Sequence, residues 1–433
     1  MPAEPNIVYD DPHLSAMLAP YAGELVGGAL ATIKSDGSIA IAVVGRPAGV
    51  GSGDVTSDTR FALGSVTKLL TASIVCQLAE ERRFDLKDRL MRWVPEIAEL
   101  DGGARITIQQ LLCHSSGLPD LFEPVDDVAE LIAKLAPFGL LAAPGAIFSY
   151  SNAGYALLGE LIARVSGSDW ESESSRRFLR PLGLEATSLD KASEGAGPSA
   201  IDHIFAPDGS AIEAEMWSRL TGPFAAAGTA ATASILDAVQ LVGAILFGHG
   251  PGSEILIEAQ TLAAMQRRHI SMPGPSVFGD GWGLGWNIAD EENGLVAHMG
   301  GTSVYTLGSR ASGKAAIFLA NTPNGAAVGE ALTREAIGAA QRKPEVRARQ
   351  ERISGLEGHY ASPTFSIDVS SEAGALVMRT SFDERIVPLE PNGERSYLGN
   401  IGLLTTEVNF IGDPANGGTP RYLHTALRAL PRM

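Results

Sequence analysis

The sequence predicts an α+β protein in which a large mixed domain, residues 1–345, precedes a small all-β domain, residues 353–433. Three observations support this fold class. Two apolar runs separated by a turn lie near the start, apolar residues with helical spacing recur in the middle, and short alternating runs dominate the end. We expect the early and late strands of the large domain to form one antiparallel sheet with helices against it.

The large domain begins with a predicted hairpin, because residues 25–34 and 38–44 are apolar runs split by the turn Ser35-Asp-Gly37. Helical spacing of apolar residues and further apolar runs then predict the rest of the domain. Three main helices and two late strands are expected at 65–80, 154–165, 234–247, 304–307 and 315–320.

After about residue 342 the character of the sequence changes. The charged segment 341–352 is predicted to be a linker. The alternating runs after it are separated by turn residues, which is typical of a small barrel or sandwich of about 80 residues. These runs lie at 365–369, 375–379, 386–389, 403–410 and 422–430.

Composition excludes several classes of protein. The chain has 433 residues and a formal net charge of −17, which argues against nucleic-acid and anionic-membrane partners. Its two cysteines form no disulfide framework, and no Cys/His spacing indicates zinc, so we predict neither a metal nor a cofactor. No basic and apolar leader and no membrane-length apolar run is present, so a cytoplasmic location is the expectation.

The segment Ser65-Val-Thr-Lys68 is the first candidate for chemistry. Ser65 sits where a helix is predicted to begin, and Lys68 lies one turn later on the same face. A serine hydroxyl needs a neighbouring base to attack at neutral pH, and a lysine amine can serve when burial lowers its pKa. A capping serine followed by a surface lysine would look the same, so this motif gains its weight from residues downstream.

Two later segments are candidates as well. Tyr150-Ser-Asn152 directly precedes the second main helix, where Ser151 or Asn152 can act as the N-cap, and His298-Met-Gly300 precedes a late strand. The pair Cys113-His114 could suggest a thiol nucleophile. Neighbours in sequence rarely face each other, so structural roles for both residues are the preferred interpretation.

In this order, the three motifs resemble those of the serine β-lactamase and penicillin-binding-protein superfamily. The resemblance covers roughly residues 15–340, and Tyr-x-Asn with His-x-Gly indicates the class C-like branch. That branch includes D-aminopeptidases, β-lactamase-type esterases and penicillin-binding-protein-type thioesterases. The implied fold is a β-lactamase-like catalytic domain, an antiparallel sheet flanked by helices plus a helical subdomain, followed by a small lipocalin-like β-domain.

The resemblance also implies roles for individual residues. Ser65 would attack a carbonyl while Lys68 and Tyr150 share its proton, and Asn152 would position Lys68 and the acyl amide. The backbone N–H groups of Ser65 and Gly301 would form the oxyanion hole, with Gly300 permitting a close approach of the strand.

His298 stands where many relatives carry lysine, so a permanent cation for a substrate carboxylate is lost and efficient β-lactam hydrolysis becomes less expected. Two roles for His298 remain open: a cation beside Tyr150, or a brace for it.

The expected activity is serine acyl transfer on peptide-like amides, esters or thioesters, with a D-residue at the reacting end. One alternative is a thioesterase that cyclises a nonribosomal peptide delivered as a thioester on a carrier domain. Another is a non-catalytic binding protein with the same fold. A small molecule or peptide is the expected partner in each case.

Overall fold

The computed structural model describes most of the chain, with short gaps. The described residues are 6–48, 51–121, 123–189, 198–205, 211–214, 222–250, 253–274, 276, 278–301, 303–341, 355–372, 374–381, 383–393, 395–401, 404–412 and 419–433.

A nine-stranded sheet organises the first three quarters of the chain. Its strand order is β1-β3-β2-β13-β12-β11-β10-β9-β8, and every pairing is antiparallel except that of β1 with β3. Early and late strands meet where β2 pairs with β13, as the sequence pattern predicts. The strands up to β13 are β1 Ile7–Val8, β2 Gly27–Lys34, β3 Ile39–Gly45, β4 Phe61–Ala62, β5 His203–Phe205, β6 Ala211–Glu213, β7 Thr232–Ala233, β8 Ile270–Ser271, β9 Gly281–Trp282, β10 Asn287–Asp290, β11 Leu295–Gly300, β12 Val304–Ser309 and β13 Lys314–Ala320.

Helices cover both faces of this sheet, because alternate residues of its central strands are apolar on both sides. One side contacts the first and last helices through Leu30, Ala42 and Phe318, and the opposite side faces the other helices through Ala31 and Ile317. The α-helices are α1 Pro12–Leu18, α2 Thr67–Glu80, α3 Ile108–Leu112, α4 Val128–Leu135, α5 Asn152–Ser166, α6 Trp170–Ser174, α7 Arg180–Leu182, α8 Ile235–Phe247, α9 Ala259–Met265 and α10 Gly325–Ile337.

The helix α5 begins two residues before its predicted start. The side chain of Ser151 accepts a hydrogen bond from the N–H of Gly154 at 3.2 Å, which makes Ser151 the N-cap and places Asn152 in the first turn. The helix ends at Gly167, whose φ of 77° suits a residue without a side chain. None of the helices in the described residues is long and apolar enough to cross a membrane.

The last part of the chain forms two antiparallel sheets, one of β14–β17 and one of β18–β22. Their facing side chains make a separate apolar core that includes Tyr360, Met378, Phe410 and Leu423. The strands are β14 Gly358–Ala361, β15 Ser366–Glu372, β16 Ala375–Thr380, β17 Asp383–Pro388, β18 Glu390–Pro391, β19 Ser396–Ile401, β20 Leu404–Gly412, β21 Pro420–Thr425 and β22 Arg428–Pro431.

One predicted run is corrected here. The apolar stretch 422–430 is two strands, because Ala426 and Leu427 adopt left-handed backbone with φ of 45° and 67° and reverse the chain. The predicted linker 341–352 lies outside the described residues, apart from its first residue.

The turn between β21 and β22 packs against the segment before α5. Leu427 shares an apolar cluster with Phe148, Tyr150 and Trp282, and the carbonyl of Leu427 accepts a hydrogen bond from the N–H of Tyr150 at 2.9 Å. The hydroxyl of Tyr422 donates to the carbonyl of Leu141 at 3.1 Å. The all-β region therefore contacts the large one beside the residues predicted to do chemistry.

Candidate active site

Ser65 lies at the entrance to α2. The chain turns at Gly64, with φ of 52°, passes through a 3-10 turn over Gly64–Val66, and enters the helix at Thr67. A Cβ atom at Gly64 would lie 2.9 Å from the carbonyl carbon of Gly300, so only glycine lets the strand β11 approach here. This turn brings Ser65 and Lys68 onto one face.

Lys68 is completely buried and has three polar neighbours. Its Nζ lies 3.0 Å from the Oγ of Ser65, 2.8 Å from the Oδ1 of Asn152 and 2.5 Å from the carbonyl oxygen of Ala227. Burial lowers the pKa of Lys68 to about 7, while the charge of Asp120 acts to raise it and that of Arg428 to lower it. An amine with this pKa can accept a proton from the serine hydroxyl near neutral pH.

Tyr150 lies on the other side of the amine. Its ring centroid is 5.0 Å from the Nζ of Lys68, and it stacks on the ring of His114 at 4.1 Å. The buried phenol oxygen has no hydrogen-bond partner among the described residues, although the Ser65 hydroxyl is close enough to act on its pKa. Burial raises the pKa of Tyr150 above its ordinary value more than Ser65 and Arg428 lower it, so the neutral phenol is the resting form.

Asn152 links the amine to a buried carboxylate. Its Oδ1 accepts from Lys68, while its backbone N–H and Nδ2 donate to the Oδ1 of Asp120 at 2.8 Å and 3.1 Å. The Oδ2 of Asp120 accepts from the Nε and Nη2 of Arg428 at 2.8 Å and 2.6 Å. The orientation of the Asn152 amide follows from this network, because a carboxylate can only accept.

His298 occupies β11 and is buried. Its Nδ1 lies 3.0 Å from the carbonyl of Met299, so Nδ1 carries the proton and Nε2 presents a lone pair, which has no partner among the described residues. Burial and the charge of Lys68 lower the pKa of His298 to about 3. The ring is therefore neutral, which corrects the expectation of a cation beside Tyr150.

The second role left open for His298, a brace for Tyr150, has a further candidate in His114. The ring contact of His298 is with Trp282, at 5.5 Å, whereas the ring that stacks on Tyr150 is that of His114. The Nδ1 of His114 accepts a hydrogen bond from the N–H of Ser151 at 3.1 Å, so His114 fixes the position of the Tyr150–Asn152 segment. Cys113 is buried with its Sγ 3.2 Å from the Oγ of Ser115, and burial raises its pKa, which does not suit a thiolate nucleophile.

The glycines after His298 lie next to the backbone of Leu63 and Gly64, which lead into Ser65. A Cβ atom at Gly300 would lie 2.3 Å from the carbonyl oxygen of Leu63, and Gly301 has a left-handed φ of 57°. The backbone nitrogen of Gly301 lies 3.3 Å from the position that a Cβ of Gly64 would take. The N–H groups of Ser65 and Gly301 are thus carried by adjacent pieces of backbone. Among the described residues, no group of three or more His, Cys, Asp or Glu side chains could hold a metal ion.

Sequence reasoning missed the residues that support this site. From the sequence, His114 is assigned a structural role only, and Asp120 is assigned no role. Arg428 lies 308 positions from Asp120 in the chain, so no local pattern could have connected them. A buried lysine beside an asparagine does imply a balancing acid nearby, but the sequence does not say which one.

Comparisons with known proteins identify the family of this chain and solved structures with the same fold. The family model described as Beta-lactamase matches residues 14–341. "Penicillin-binding protein 4" of Amycolatopsis lactamdurans is 28% identical over 362 residues, which cover 77% of this chain and 93% of that protein.

Among solved structures, that of SurE has a TM-score of 0.79 and 26% identity and covers 98% of this chain and 99% of SurE. A structure of SurE with D-Leu has a TM-score of 0.77 at the same identity and coverage. The D-amino acid amidase of Ochrobactrum anthropi SV3, complexed with D-phenylalanine, shares the fold at a TM-score of 0.60 and 22% identity, over 72% of this chain and 91% of the amidase. Since the family match spans most of the chain, this protein belongs to the beta-lactamase family, together with the penicillin-binding-protein homologues.

Proposed function

We propose that the protein is a serine acyl-transfer enzyme in which Ser65 is the nucleophile and Lys68 its base. The observation that carries this proposal is the buried amine of Lys68, with a pKa of about 7, at 3.0 Å from the Ser65 hydroxyl. A lysine in this state is rare away from functional sites, because burial without a function costs stability.

The first half-reaction forms an ester. The Oγ of Ser65 bonds to the substrate carbonyl carbon as its proton passes to the Nζ of Lys68, and the charge on the carbonyl oxygen is held by the N–H groups of Ser65 and Gly301. The bond to the leaving group then breaks, and that group takes a proton through the phenol of Tyr150. Asn152 keeps the amine aimed at the serine throughout.

The second half-reaction releases the acyl group to water or to an amine. The incoming nucleophile attacks the ester carbonyl and gives up its proton by the reverse of the same path, which regenerates the Ser65 hydroxyl. Water makes the enzyme a peptidase, amidase or esterase. The amine of the substrate itself makes it a cyclase.

We propose a peptide-like acyl donor with a D-residue at the reacting end. Support comes from the resemblance of the motifs to D-peptidases and from SurE, which has been solved with D-Leu and matches this chain over nearly its whole length. The match includes the C-terminal sheets, and a single β-domain of this kind fits esterases and cyclases. Cyclisation of a peptidyl thioester held by a carrier domain is therefore the second candidate.

Mass spectrometry of the intact protein after treatment with a fluorophosphonate or a β-lactam tests the nucleophile. We expect one adduct, on Ser65, and none in Ser65→Ala, whose melting temperature should stay close to that of the parent. Absence of an adduct with every acylating probe would favour the binding-protein alternative. A Lys68→Ala variant that kept full turnover would overturn the proposed base.

A product assay then separates the candidate reactions. Matched peptidyl thioesters, amides and esters ending in D- or L-leucine should be consumed with a preference for the D-series. The ratio of linear to cyclic product shows whether water or the substrate's own amine is the second nucleophile. Acylation should slow about tenfold for each pH unit below about 7, because Lys68 then carries a proton. Equal rates for the two series would remove the proposed stereochemical preference.

A further inference from the structure

The hairpin of β21 and β22 reaches the active site from the C-terminal region. Its turn residues Ala426 and Leu427 are both left-handed, a conformation that costs free energy for residues other than glycine and persists where the surroundings impose it. Here the surroundings hold the turn by two hydrogen bonds. The carbonyl of Leu427 accepts from the N–H of Tyr150 at 2.9 Å, and the N–H of Ala429 donates to the Oγ of Ser149 at 3.2 Å. The turn is thus fixed against the irregular segment that carries the Tyr150 phenol.

Arg428 leaves this turn and enters the polar network of the site. Its Nε and Nη2 donate to one oxygen of Asp120, at 2.8 Å and 2.6 Å, and its Nη1 donates to the carbonyl of Ala426 at 3.1 Å. Its guanidinium also lies 5.4 Å from the ring centroid of Tyr150. Asp120 is 3% exposed, so without this partner its charge would be buried and uncompensated.

A continuous chain of contacts runs from this arginine to the nucleophile. Asp120 accepts hydrogen bonds from the backbone N–H and the Nδ2 of Asn152. The Nζ of Lys68 lies 2.8 Å from the Oδ1 of Asn152 and 3.0 Å from the Oγ of Ser65. The charge of Asp120 favours a protonated Lys68, and the charge of Arg428 opposes it. The effect of Asp120 is the larger of the two charge effects, and Arg428 offsets part of it.

We propose that Arg428 is a positioning residue of the active site: through Asp120 it orients the Asn152 amide, and it offsets the Asp120 charge so that Lys68 remains an uncharged base. This inference rests on the proposed function of Ser65 and Lys68. It also gives the C-terminal region a part in the chemistry without requiring it to touch the substrate.

Other titratable groups surround Lys68 and enter the same balance. Their rings and charges come from α5, from the segment after α3, from the irregular segment before α5 and from β11. They are Tyr155, His114, Asp120, Tyr150 and His298, in addition to Arg428. The histidines are buried and neutral, so Asp120 and Arg428 are the charges that act on the pKa of Lys68, in addition to the larger effect of burial.

The test compares Arg428→Gln and Arg428→Lys with the matched control Arg421→Gln. Arg421 is an exposed arginine of the same hairpin that stacks on Tyr422 and lies outside the network. The rate of Ser65 acylation by a fluorophosphonate is measured across the neutral pH range. We expect the midpoint to rise by about one pH unit in Arg428→Gln, and to stay at the parent value in Arg428→Lys and Arg421→Gln.

A rate that falls by one factor at every pH, with the midpoint unchanged, would overturn the proposal and leave Arg428 a structural residue. The double variant Asp120→Asn/Arg428→Gln supplies a second test, since it removes both charges and leaves no buried carboxylate unpaired. Its midpoint should return to the parent value or fall below it, because the Asp120 charge has the larger effect on the pKa of Lys68. If the midpoint stays where Arg428→Gln placed it, the charge balance is wrong.

Titration of the Lys68 ε-carbon by ¹³C NMR gives the same midpoint without any turnover. The resonance is assigned as the one that disappears in Lys68→Met. If the parent protein is not acylated at all, the proposed function fails, yet this titration still shows whether Arg428 controls Lys68. A Lys68 resonance that titrates alike in the parent and in Arg428→Gln would contradict the inference.

Discussion

The two sides of Lys68 differ in how their polar atoms are paired. On one side, Asp120 and Asn152 are buried and hydrogen-bonded, with Arg428 completing the network. On the other side, four buried polar atoms have no partner among the described residues. They are the hydroxyl of Tyr150, the Nε2 atoms of His114 and His298, and the Nε1 of Trp282.

The unpaired atoms belong to one connected cluster of rings. The ring centroid of Trp282 lies 5.2 Å from that of His114, 5.8 Å from that of Tyr150 and 5.5 Å from that of His298. Buried polar groups cost stability unless they are hydrogen-bonded, so we expect a bound substrate to pair with some of these atoms beside Ser65. We call the hydrogen-bonded side, with Asp120, Asn152 and Arg428, the scaffold. We call the side with the four unpaired atoms the working face.

Replacing Tyr150 by phenylalanine tests the working face and carries the largest expected effect. Acylation of Ser65 should fall by about 10²–10⁴-fold, because the phenol that passes the proton is lost. The free energy of unfolding should change by less than about 1 kcal/mol, because the hydroxyl that is removed has no partner to leave behind. Chemical denaturation alongside the acylation rate measures both quantities. A large loss of stability with little change in rate would reverse the assignment of the two sides.

Replacing Asp120 by alanine tests the scaffold. The variant leaves the Asn152 amide without acceptors and Arg428 without its carboxylate, so we expect a loss of about 2–4 kcal/mol in unfolding free energy. Urea denaturation gives the value. Alanine at the exposed residue Asp101 is the control, with an expected change below about 0.5 kcal/mol. Equal stability of the Asp120 variant and the control would show that the network supports chemistry alone.

Acid sensitivity gives the smallest expected effect. His298 has a pKa of about 3 in the folded protein, below its ordinary value of 6.5, because burial disfavours the charged ring. The unfolded chain therefore binds more protons below pH 6.5, and the stability contributed by the neutral ring is lost as the pH falls towards 3. His298→Gln should retain about 1–2 kcal/mol more stability than the parent at mildly acidic pH.

Unfolding curves at neutral and mildly acidic pH measure this difference. His13→Gln, at an exposed histidine of α1, is the control and should follow the parent. A His298 variant that loses stability with acid as steeply as the parent would mean that the ring is already protonated in the folded state.

Much of the fold could be predicted because its signals are local. The hairpin of β2 and β3, the helix that follows Ser65 and the sheet strand 314–320 all show their periodicity directly in the sequence. The division of 422–430 into two strands was missed, because Ala426 and Leu427 reverse the chain without the Gly or Asn that usually announces such a turn.

The candidate site divides in the same way. The resemblance of the ordered motifs to the β-lactamase superfamily singles out Ser65, Lys68, Tyr150 and Asn152 as candidates. The structure places Ser65, Asn152 and the Tyr150 ring around the Lys68 amine. The charge state of His298 depends on burial in a cluster that tertiary packing creates, so the sequence could not determine it. The pairing of Asp120 with Arg428 depends on how the two regions meet, which no local pattern encodes.

The separation of 308 positions between Asp120 and Arg428 has a consequence for folding. Closing a loop of this length costs conformational entropy, which the contacts between the two regions must offset. A chain whose first 341 residues had folded alone would hold the serine and the lysine but not the arginine. The rate at which Ser65 is covalently labelled during refolding would then report when Arg428 pairs with Asp120.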